Sequence, residues 1–326
     1  MRVVCLREHG GLDKYLFEDW PKPAPGRGQV LLRVGACGIN HLDVFIRRGM
    51  PGVAIEFPRI PGVDVAGTVE GVGPGVSESM IGKRILVHPM FKTGGLMGEH
   101  GQGGMCEYIV WDADYCLPLP ATVSLEEAAC LPVAYGAAYR MLITRGRVTD
   151  GDLVLILGAG GGVGTACVQI AKARGATVIA CAGGAEKLGK LKELGADHLI
   201  DYGEKDFSRE AWAISGKRGV DVLVNYTGGD TWAPSLRTMA RGGRLLCCGA
   251  TAGFDPKTDL RYLWSREIDI RGSVGWRIED LHALLEMMQN GTLKAVIDTV
   301  LPLKEVAEAV RRVEDREVFG KIILKP

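Results

Sequence analysis

The sequence predicts an α/β protein with two domains, one rich in β-strands and one built on a doubly wound parallel sheet. Its 326 residues are enough for two buried cores. Residues 1 to about 130 are rich in glycine, proline and short β-branched runs, which are typical of a barrel-like β-domain. After residue 130 the pattern changes to alternating strands and helices, which is typical of a doubly wound sheet.

The individual elements follow from these patterns. Strands of the second domain are predicted at residues 153–157, 177–181, 198–201, 221–226, 243–249 and 267–273. Helices between them are predicted at residues 162–174, 185–194 and 231–240. Two more helices, at 278–289 and 303–313, and a closing strand are predicted in the last fifty residues.

The composition excludes several classes of function. Lys plus Arg and Asp plus Glu both number 39, so the formal net charge is zero and neither nucleic acid nor an anionic membrane is an expected partner. No apolar run approaches the roughly 20 residues that a membrane span needs, and the amino terminus does not resemble a signal peptide. The nine cysteines are scattered and include no Cys-x-x-Cys pair, which argues against disulfides and a structural zinc lobe. We expect a cytoplasmic protein that acts on a small molecule.

The most specific motif is the turn after the first strand of the second domain. The sequence DLVLILGAGGGVGTACVQIAKARGATVIAC contains a strand, a glycine loop, a helix and a second strand. Ala159, Gly161 and Gly164 occupy the positions of a dinucleotide-binding fingerprint. Small residues there let backbone N–H groups approach a pyrophosphate at the helix amino terminus, and Gly164 lets the helix pack against the strand. The alternative is a glycine-rich surface loop.

The end of the second strand favours NADP(H) over NAD(H). An NAD site needs a carboxylate there to bind the adenosine ribose hydroxyls, and this chain has Ala182. Gly183 and Gly184 leave room for a 2′-phosphate, which Lys187 and Tyr202 are close enough in sequence to approach. Lys187 is equally well explained as a solvated helix charge. The predicted cofactor contacts of this domain are Ala159, Gly161, Gly162, Val163, Gly164, Ala182, Gly183, Lys187, Tyr202, Gly249 and Ala250.

The amino-terminal half contains the motifs of a known superfamily. GACGINHLDVFIRRG, FPRIPGVDVAGTVEGVG, GEHGQGGMCEYIV and the glycine loop stand in the order found in medium-chain dehydrogenase/reductases. The chain resembles them over essentially all of its length, and most closely the quinone oxidoreductase and alcohol dehydrogenase-like branch. The resemblance implies a GroES-like catalytic domain formed by residues 1–130 and 276–326. It also implies a Rossmann domain at residues 131–275 and a cleft where the substrate meets the nicotinamide.

The chain departs from this superfamily at the zinc positions. Zinc alcohol dehydrogenases have a ligand Cys and a ligand His where this chain has Asn40 and Val63, and their third ligand position falls at Val133. These side chains cannot hold Zn²⁺, which takes thiolate, imidazole or carboxylate. Residues 91–100 also contain no four-cysteine lobe, which would hold a structural zinc. We therefore expect neither the catalytic nor the structural zinc site. The alternative is an improvised metal site made from Cys37, His41, Asp64 or His100.

The resemblance also implies roles for residues of the cleft. Without zinc, hydrogen-bond donors must stabilise the charge that develops on a substrate oxygen. Asn40 is the candidate donor to a substrate carbonyl, or else it stabilises a turn. His100 is the candidate proton donor near neutral pH, or else a hydrogen-bonded structural residue. Asp43 and Phe91 are assigned to the substrate pocket, where Phe91 is an apolar wall and Asp43 organises a loop. His41 is expected to contact the cofactor pyrophosphate; the alternative is that it is an ordinary surface residue.

Together these features predict a zinc-independent, NADPH-dependent reductase of quinones or α,β-unsaturated carbonyls, including enoyl thioesters. Hydride would reach the β-carbon while Asn40 or a water holds the oxyanion. Phe45 stands where quinone oxidoreductases often have Tyr, so a phenol proton donor is not expected there. The alternatives are an alcohol dehydrogenase that works without the usual metal and a non-catalytic NADPH-binding protein.

The strand at residues 267–273 predicts how copies of the chain associate. It corresponds to the edge strand through which this superfamily usually dimerises. An edge strand exposes unpaired N–H and C=O groups, which a twofold partner offering the same strand can satisfy. Ile268 and Ile270 lie on one face of the predicted strand and would help to bury the seam. We expect a homodimer or homotetramer; the alternative is a monomer whose edge is protected by its own charges.

Overall fold

The computed structural model describes residues 1–50 and 52–326, which divide into two units. The first unit comprises Met1–Val133 and Leu281–Pro326, and the second unit comprises Ala134–Asp280. The predicted fold class is confirmed: the first unit is the GroES-like domain and the second is the Rossmann-type domain. Within the described ranges, no helix combines the length and the apolar character that crossing a membrane requires.

The strands are numbered in chain order. They are β1 (Arg2–Cys5), β2 (Leu16–Asp19), β3 (Gln29–Gly38), β4 (Asp64–Val72), β5 (Arg84–Val87), β6 (Tyr108–Asp112), β7 (Cys116–Pro118), β8 (Leu153–Ile156), β9 (Thr177–Ala182), β10 (His198–Asp201), β11 (Val220–Val224), β12 (Met239–Cys247), β13 (Asp269–Gly272), β14 (Ile297–Pro302) and β15 (Lys321–Lys325).

The helices are numbered in the same way. They are α1 (His41–Arg48), α2 (Leu125–Ala128), α3 (Gly136–Tyr139), α4 (Gly162–Ala173), α5 (Ala185–Glu193), α6 (Phe207–Ile214), α7 (Trp232–Thr238), α8 (Leu260–Arg266), α9 (Ile278–Gln289) and α10 (Val306–Glu314). Wider π-helical turns at Leu131–Tyr135 and Arg140–Arg145 flank α3. Short 3₁₀ turns lie at Leu12–Lys14, Glu78–Met80, Ala113–Tyr115, Gly229–Thr231 and Leu303–Glu305.

The first unit is organised around a seven-stranded sheet that uses both ends of the chain. Its order is β14-β15-β3-β4-β5-β7, with β6 also paired to β3, while β1 and β2 form a separate pair. The last strand, β15, is inserted between β14 and β3, and Leu324 pairs with Cys37. The first four residues of β15 are buried, Lys321 among them. A charged side chain is thereby brought into the core.

The second unit is built on a parallel sheet of six strands in the order β10-β9-β8-β11-β12-β13. Every residue of Leu153–Ile156 in β8 is buried, as expected for a central strand covered by helices on both faces. The strand order reverses between β8 and β11. In such sheets the ligand binds at the carboxyl ends of the strands on either side of this reversal.

The predicted elements were right in kind, but short elements were missed and two predicted helices differ in extent. The elements that were not predicted include the helices α1, α2, α3, α6 and α8 and the strand β14, each of four to eight residues. The helix predicted at 231–240 is wrong at its end, because Met239 already begins β12. Gly242 adopts a positive φ of 71° within that strand, where the pairing with β11 shifts register. Residues 303–313 form a 3₁₀ turn followed by α10 rather than one helix.

Candidate active site

The candidate site of the first unit begins where β3 ends and α1 starts. Asn40 precedes the helix in an extended conformation, and its backbone N–H donates to Asp43 Oδ2 at 2.8 Å. The Asp43 carboxyl therefore caps the first turn. Asp43 is fully buried, and this burial raises its pKa to about 7, against the opposing effects of the Asn40 N–H and of the Lys321 charge. Asp43 stabilises the start of the helix and does not face solvent.

A buried ammonium group lies behind Asn40. Lys321 Nζ donates to the Ile39 carbonyl oxygen at 2.7 Å, to Asn40 Oδ1 at 2.6 Å and to Asp64 Oδ2 at 3.0 Å. An ammonium group has three hydrogens, so these acceptors satisfy all of them. Only 3% of the Lys321 side chain and none of the Asp64 side chain is exposed. The pair is a buried salt bridge whose remaining polar atoms are also hydrogen-bonded.

Asp64 connects this ammonium group to a third segment of the chain. Its Oδ2 also accepts from Asn40 Nδ2 at 2.8 Å, and its Oδ1 accepts the backbone N–H of Val133 at 2.8 Å. The remaining hydrogen of the Asn40 amide points to the Gly38 carbonyl oxygen at 3.4 Å, which is a long and weak bond. We call Asn40, Asp64 and Lys321 the buried network.

The zinc-ligand positions therefore hold groups of a different kind. Val63 is fully buried and apolar, Val133 contributes only its backbone N–H, and the Asn40 oxygen is engaged by an ammonium group. Across residues 1–50 and 52–326, no three His, Cys, Asp or Glu side chains are grouped so that they could hold a metal ion. The residues present do not fit the zinc of the alcohol dehydrogenases.

His100 lies on the turn that follows Leu96. Its side chain is 53% exposed, and its Nδ1 accepts the Leu96 N–H at 3.1 Å. Because Nδ1 accepts a hydrogen bond, the ring proton is on Nε2 in this arrangement. Phe91 packs against Trp111, with ring centroids 4.9 Å apart, and is partly buried. Phe91 is thus packed against the hydrophobic core of the first unit.

His41 is the first residue of α1 and packs edge-on against Phe45, with ring centroids 4.9 Å apart. Burial is the main cause that lowers the pKa of His41, and the nearby Arg316 lowers it further. The neutral imidazole is therefore the favoured form. Any contact of His41 with a pyrophosphate would rely on a hydrogen bond rather than on a positive charge.

The glycine loop of the second unit forms a close-packed turn between β8 and α4. Gly158 has a φ of 66°, and Gly161 directly precedes the helix. A Cβ atom on Gly164 would lie 2.5 Å from Ala159 Cα, so only glycine permits this approach of helix and strand. The Tyr226 hydroxyl, after β11, donates to the Gly158 carbonyl oxygen at 2.6 Å and joins the two strands that flank the order reversal. The residues fit a dinucleotide, and Tyr226 was not predicted from the sequence.

The end of β9 has an acidic neighbour that the sequence analysis missed. Asp201, the last residue of β10, pairs in register with Ala182. Its carboxylate accepts the backbone N–H groups of Gly184 at 3.0 Å and of Gly203 at 2.9 Å. A Cβ atom on Gly183 would lie 3.5 Å from the Tyr202 ring. The structure thus brings Ala182, Gly183 and Tyr202 together beside a carboxylate that is already hydrogen-bonded to the backbone.

The other predicted cofactor contacts lie close by in the fold. Lys187 is half-buried in the first turn of α5, which begins just after Gly184. Gly249 and Ala250 follow the end of β12, and the next residue, Thr251, donates its N–H to the Tyr226 carbonyl oxygen at 3.2 Å. These residues are at the carboxyl-terminal edge of the parallel sheet.

Comparisons with known proteins agree with this arrangement. The family model "Alcohol dehydrogenase GroES-like domain" matches residues 26–121, and "Zinc-binding dehydrogenase" matches residues 162–290. The chain is 32% identical to the synaptic vesicle membrane protein VAT-1 homolog of Rattus norvegicus, with 100% of this chain and 84% of the relative covered. It is 31% identical to the quinone oxidoreductase of Rattus norvegicus, with 99% of this chain and 97% of the relative covered. A crystal structure of an NAD-dependent alcohol dehydrogenase superposes with a TM-score of 0.95 at 35% identity, with 100% of both chains covered.

The fold and the glycine loop together define a nicotinamide-dependent oxidoreductase. The chain belongs to the medium-chain dehydrogenase/reductase superfamily, as its sequence motifs had indicated.

We predict that Lys321→Met lowers the free energy of unfolding by about 3–5 kcal/mol, because it leaves the Asp64 carboxylate buried without its cation. The matched control is Lys325→Met on the same strand. Lys325 is 51% exposed and pairs with Glu126 at 2.6 Å, so its loss should cost about 1 kcal/mol or less. Urea unfolding of the wild type and both variants measures the difference. Equal losses in the two variants would contradict the buried network.

Proposed function

We propose that the protein is a zinc-independent, NADPH-dependent reductase of quinones or α,β-unsaturated carbonyls. The main support is the set of three zinc-ligand positions: Asn40 is hydrogen-bonded to Asp64 and Lys321, and the side chains of Val63 and Val133 have no ligand atom. The similarity to quinone oxidoreductase supports the substrate class. The cofactor, when bound, supplies a hydride to an electron-poor carbon. An alcohol dehydrogenase activity is the second candidate, supported by the similarity to the alcohol dehydrogenase structure.

In this proposal Asn40 binds the substrate oxygen. Its amide oxygen is held by Lys321, and one amide hydrogen is held by Asp64. The second hydrogen makes only the long 3.4 Å contact to Gly38, so it is the one left to donate to a substrate carbonyl. Lys321 thus orients the donor and places a fixed positive charge behind it. The amino terminus of α1 adds a favourable dipole for negative charge at the same place.

His100 is the proposed proton donor. Its Nδ1 is engaged by the Leu96 N–H, which leaves the proton on the exposed Nε2. A solvent-exposed imidazole can exchange this proton with water and be reloaded after each turnover. Phe91 and Asp43 keep supporting roles, the first as an apolar surface and the second as the cap of α1.

We also propose that NADP(H) is preferred over NAD(H). Ala182 gives no carboxylate at the end of β9, and each Asp201 oxygen beside it already accepts one backbone N–H. Tyr202 is 46% exposed and Lys187 lies in the first turn of α5, so both remain candidates for contacts to a 2′-phosphate. NAD(H) is the alternative, since the similar alcohol dehydrogenase structure is described as NAD-dependent.

We further propose that two copies associate through β13. This strand is at the edge of the sheet. The apolar residues Ile270, within it, and Val274, just after it, are 40% and 86% exposed, whereas Ile268 is buried. The Ser273 N–H bonds to the Cys247 carbonyl oxygen of β12. Because N–H directions alternate along a strand, the Ile270 N–H lies on the open side. The proposed homodimer, or a tetramer of two such dimers, would pair these open edges.

We propose that the enzyme is cytoplasmic and acts on a small molecule. The balanced charge supports the absence of a nucleic-acid or anionic-membrane partner.

We predict that the purified protein reduces a simple quinone and 2-cyclohexenone with NADPH, and that excess chelator leaves both rates unchanged. Elemental analysis of the same sample should find no stoichiometric zinc, because neither Val63 nor Val133 has a ligand atom in its side chain. Turnover of saturated alcohols but not of enones would favour the second candidate. One tightly held zinc per chain would overturn zinc independence, and no turnover of any substrate would favour a cofactor-binding protein.

We predict that Ala182→Asp shifts the ratio of NADPH to NADH affinity towards NADH by about tenfold or more, through repulsion of the 2′-phosphate. Lys187→Ala should weaken NADPH binding and leave NADH binding unchanged. Lys190→Ala is the matched control, since Lys190 is on the same helix but pairs with Glu186 at 2.7 Å. Fluorescence titration measures all affinities. Tighter NADH than NADPH binding in the wild type would refute the preference.

We predict that Ile270→Pro weakens self-association by about tenfold, because proline removes an outward N–H without removing a bond to β12. Ile270→Thr keeps the N–H and is the control for the loss of the apolar side chain. Light scattering at micromolar concentration measures the mass. A wild-type mass near the 35.0 kDa of a single chain would contradict the dimer.

A further inference from the structure

The open edge of β13 carries different kinds of side chain on its two faces. Side chains alternate along a strand, so Ile268 and Ile270 point to one face while Asp269 and Arg271 point to the other. Within one chain, the Arg271 guanidinium donates to Asp269 Oδ2 at 2.6 Å, and both side chains remain partly exposed. The edge therefore offers an apolar residue, Ile270, on one face and two opposite charges on the other.

These charges favour one register for a pair of β13 strands. A twofold axis pairs the two strands antiparallel, so residues at equal distances on either side of the axis face each other. An axis at Asp269 or at Arg271 would place like charges directly opposite each other, which is destabilising. With the axis at Ile270, Asp269 faces Arg271 of the partner subunit and Arg271 faces Asp269 of the partner subunit. The four charges then alternate in sign around the axis.

The backbone at Ile270 is also compatible with this axis. The Ser273 N–H bonds to the Cys247 carbonyl oxygen of β12, so the alternate residues Ile270 and Gly272 have their backbone groups on the open side. Two copies of Ile270 can then exchange both N–H···O=C bonds. An axis at Gly272 would use open backbone groups as well, but it would turn the two charges towards the uncharged residues Ser273 and Gly275 of the partner subunit.

The helix α8 lies beside the same edge. Its Tyr262 and Leu263 pack against the hydrophobic core that contains Ile268, so the helix is on the face of the sheet to which Ile270 points. Because α8 connects β12 to the edge strand β13, it is the last helix on this face before the open edge.

Leu260 and Trp264 form an exposed apolar stripe on α8. They are 58% and 68% exposed, and a spacing of four residues puts them on one side of the helix. A different side contacts the rest of the unit, where Arg266 Nη1 donates to the Arg237 and Met239 carbonyl oxygens at 2.7 and 2.8 Å. Trp264 is two residues from Arg266, which is about 200° around the helix, so the stripe points away from these contacts.

We propose that the open edge of β13 and the Leu260–Trp264 stripe form one interface for a second copy of this chain, with the twofold axis at Ile270. An axis perpendicular to the sheet keeps each face on its own side. The two α8 helices then flank the seam on one face, and the alternating charges lie on the other. The inference rests on the proposed association through β13, to which it adds the register and α8, and it does not depend on the proposed activity.

Charge reversal tests the register. Asp269→Arg and Arg271→Asp each place like charges opposite each other, so each should raise the dissociation constant of the dimer about tenfold or more. An equimolar mixture of the two variants should associate about as tightly as the wild type, because every arginine then faces an aspartate of the other chain. Light scattering over a dilution series measures the dissociation constants. The neutral variants Asp269→Asn and Arg271→Gln disturb the fold less, and each should weaken association about threefold by removing attraction alone.

Glu193→Arg is the matched control for charge reversal. Glu193 is exposed at the end of α5, which connects β9 to β10 at the opposite edge of the sheet, so association should not change. Variants of Asp269 and Arg271 that associate like the wild type, or a mixture that fails to recover, would overturn the register. A wild type with the mass of a single chain would overturn the association itself and leave the proposed activity standing.

A separate variant tests α8. Trp264→Ser should raise the dissociation constant about fivefold or more, because it removes apolar area from the seam. Trp264→Phe keeps an aromatic side chain at this position and should associate about as tightly as the wild type. Association of Trp264→Ser as tight as that of the wild type would overturn the role of α8.

Discussion

The buried ammonium group of Lys321 is the interaction on which the rest of the candidate site depends. Removing a charge from water is costly, and only a complete set of acceptors makes the arrangement tolerable. These acceptors come from the end of β3 and the start of β4, and Asp64 extends the set to the backbone of Val133. Four separated segments of the first unit are therefore joined by the Lys321–Asp64 pair.

One short helix combines a polar start with an apolar face. The residue before α1 is oriented by polar contacts, while the side chains Leu42, Phe45 and Ile46 are apolar and share one face of its first two turns. Both features depend on where the helix begins, and that point is fixed by the Asp43 carboxyl, which accepts the Asn40 N–H at 2.8 Å.

The sequence was most informative where a pattern is local. Gly164 and Ala159 are five residues apart, and their close approach could be predicted because strand, turn and helix follow one another directly. Lys321 could not be predicted as a partner of Asn40, since 281 residues separate them and no local pattern marks the pairing. Asp201 was not predicted as a neighbour of Ala182 for a similar reason, since only the pairing of β9 with β10 brings the two residues together. The short elements α6, α8 and β14 were missed because six to eight residues give little periodicity.

The insertion of β15 between β14 and β3 has a consequence for biosynthesis. The second unit, Ala134–Asp280, is continuous in sequence, but the sheet of the first unit needs residues from the very end of the chain. At ribosomal speeds of roughly 5–20 residues per second, the 193 residues from 134 to 326 take about 10–40 s to translate. During this interval one edge of β3 lacks its final neighbour. The amino-terminal half is made first, but its sheet is completed only when the last strand has been translated.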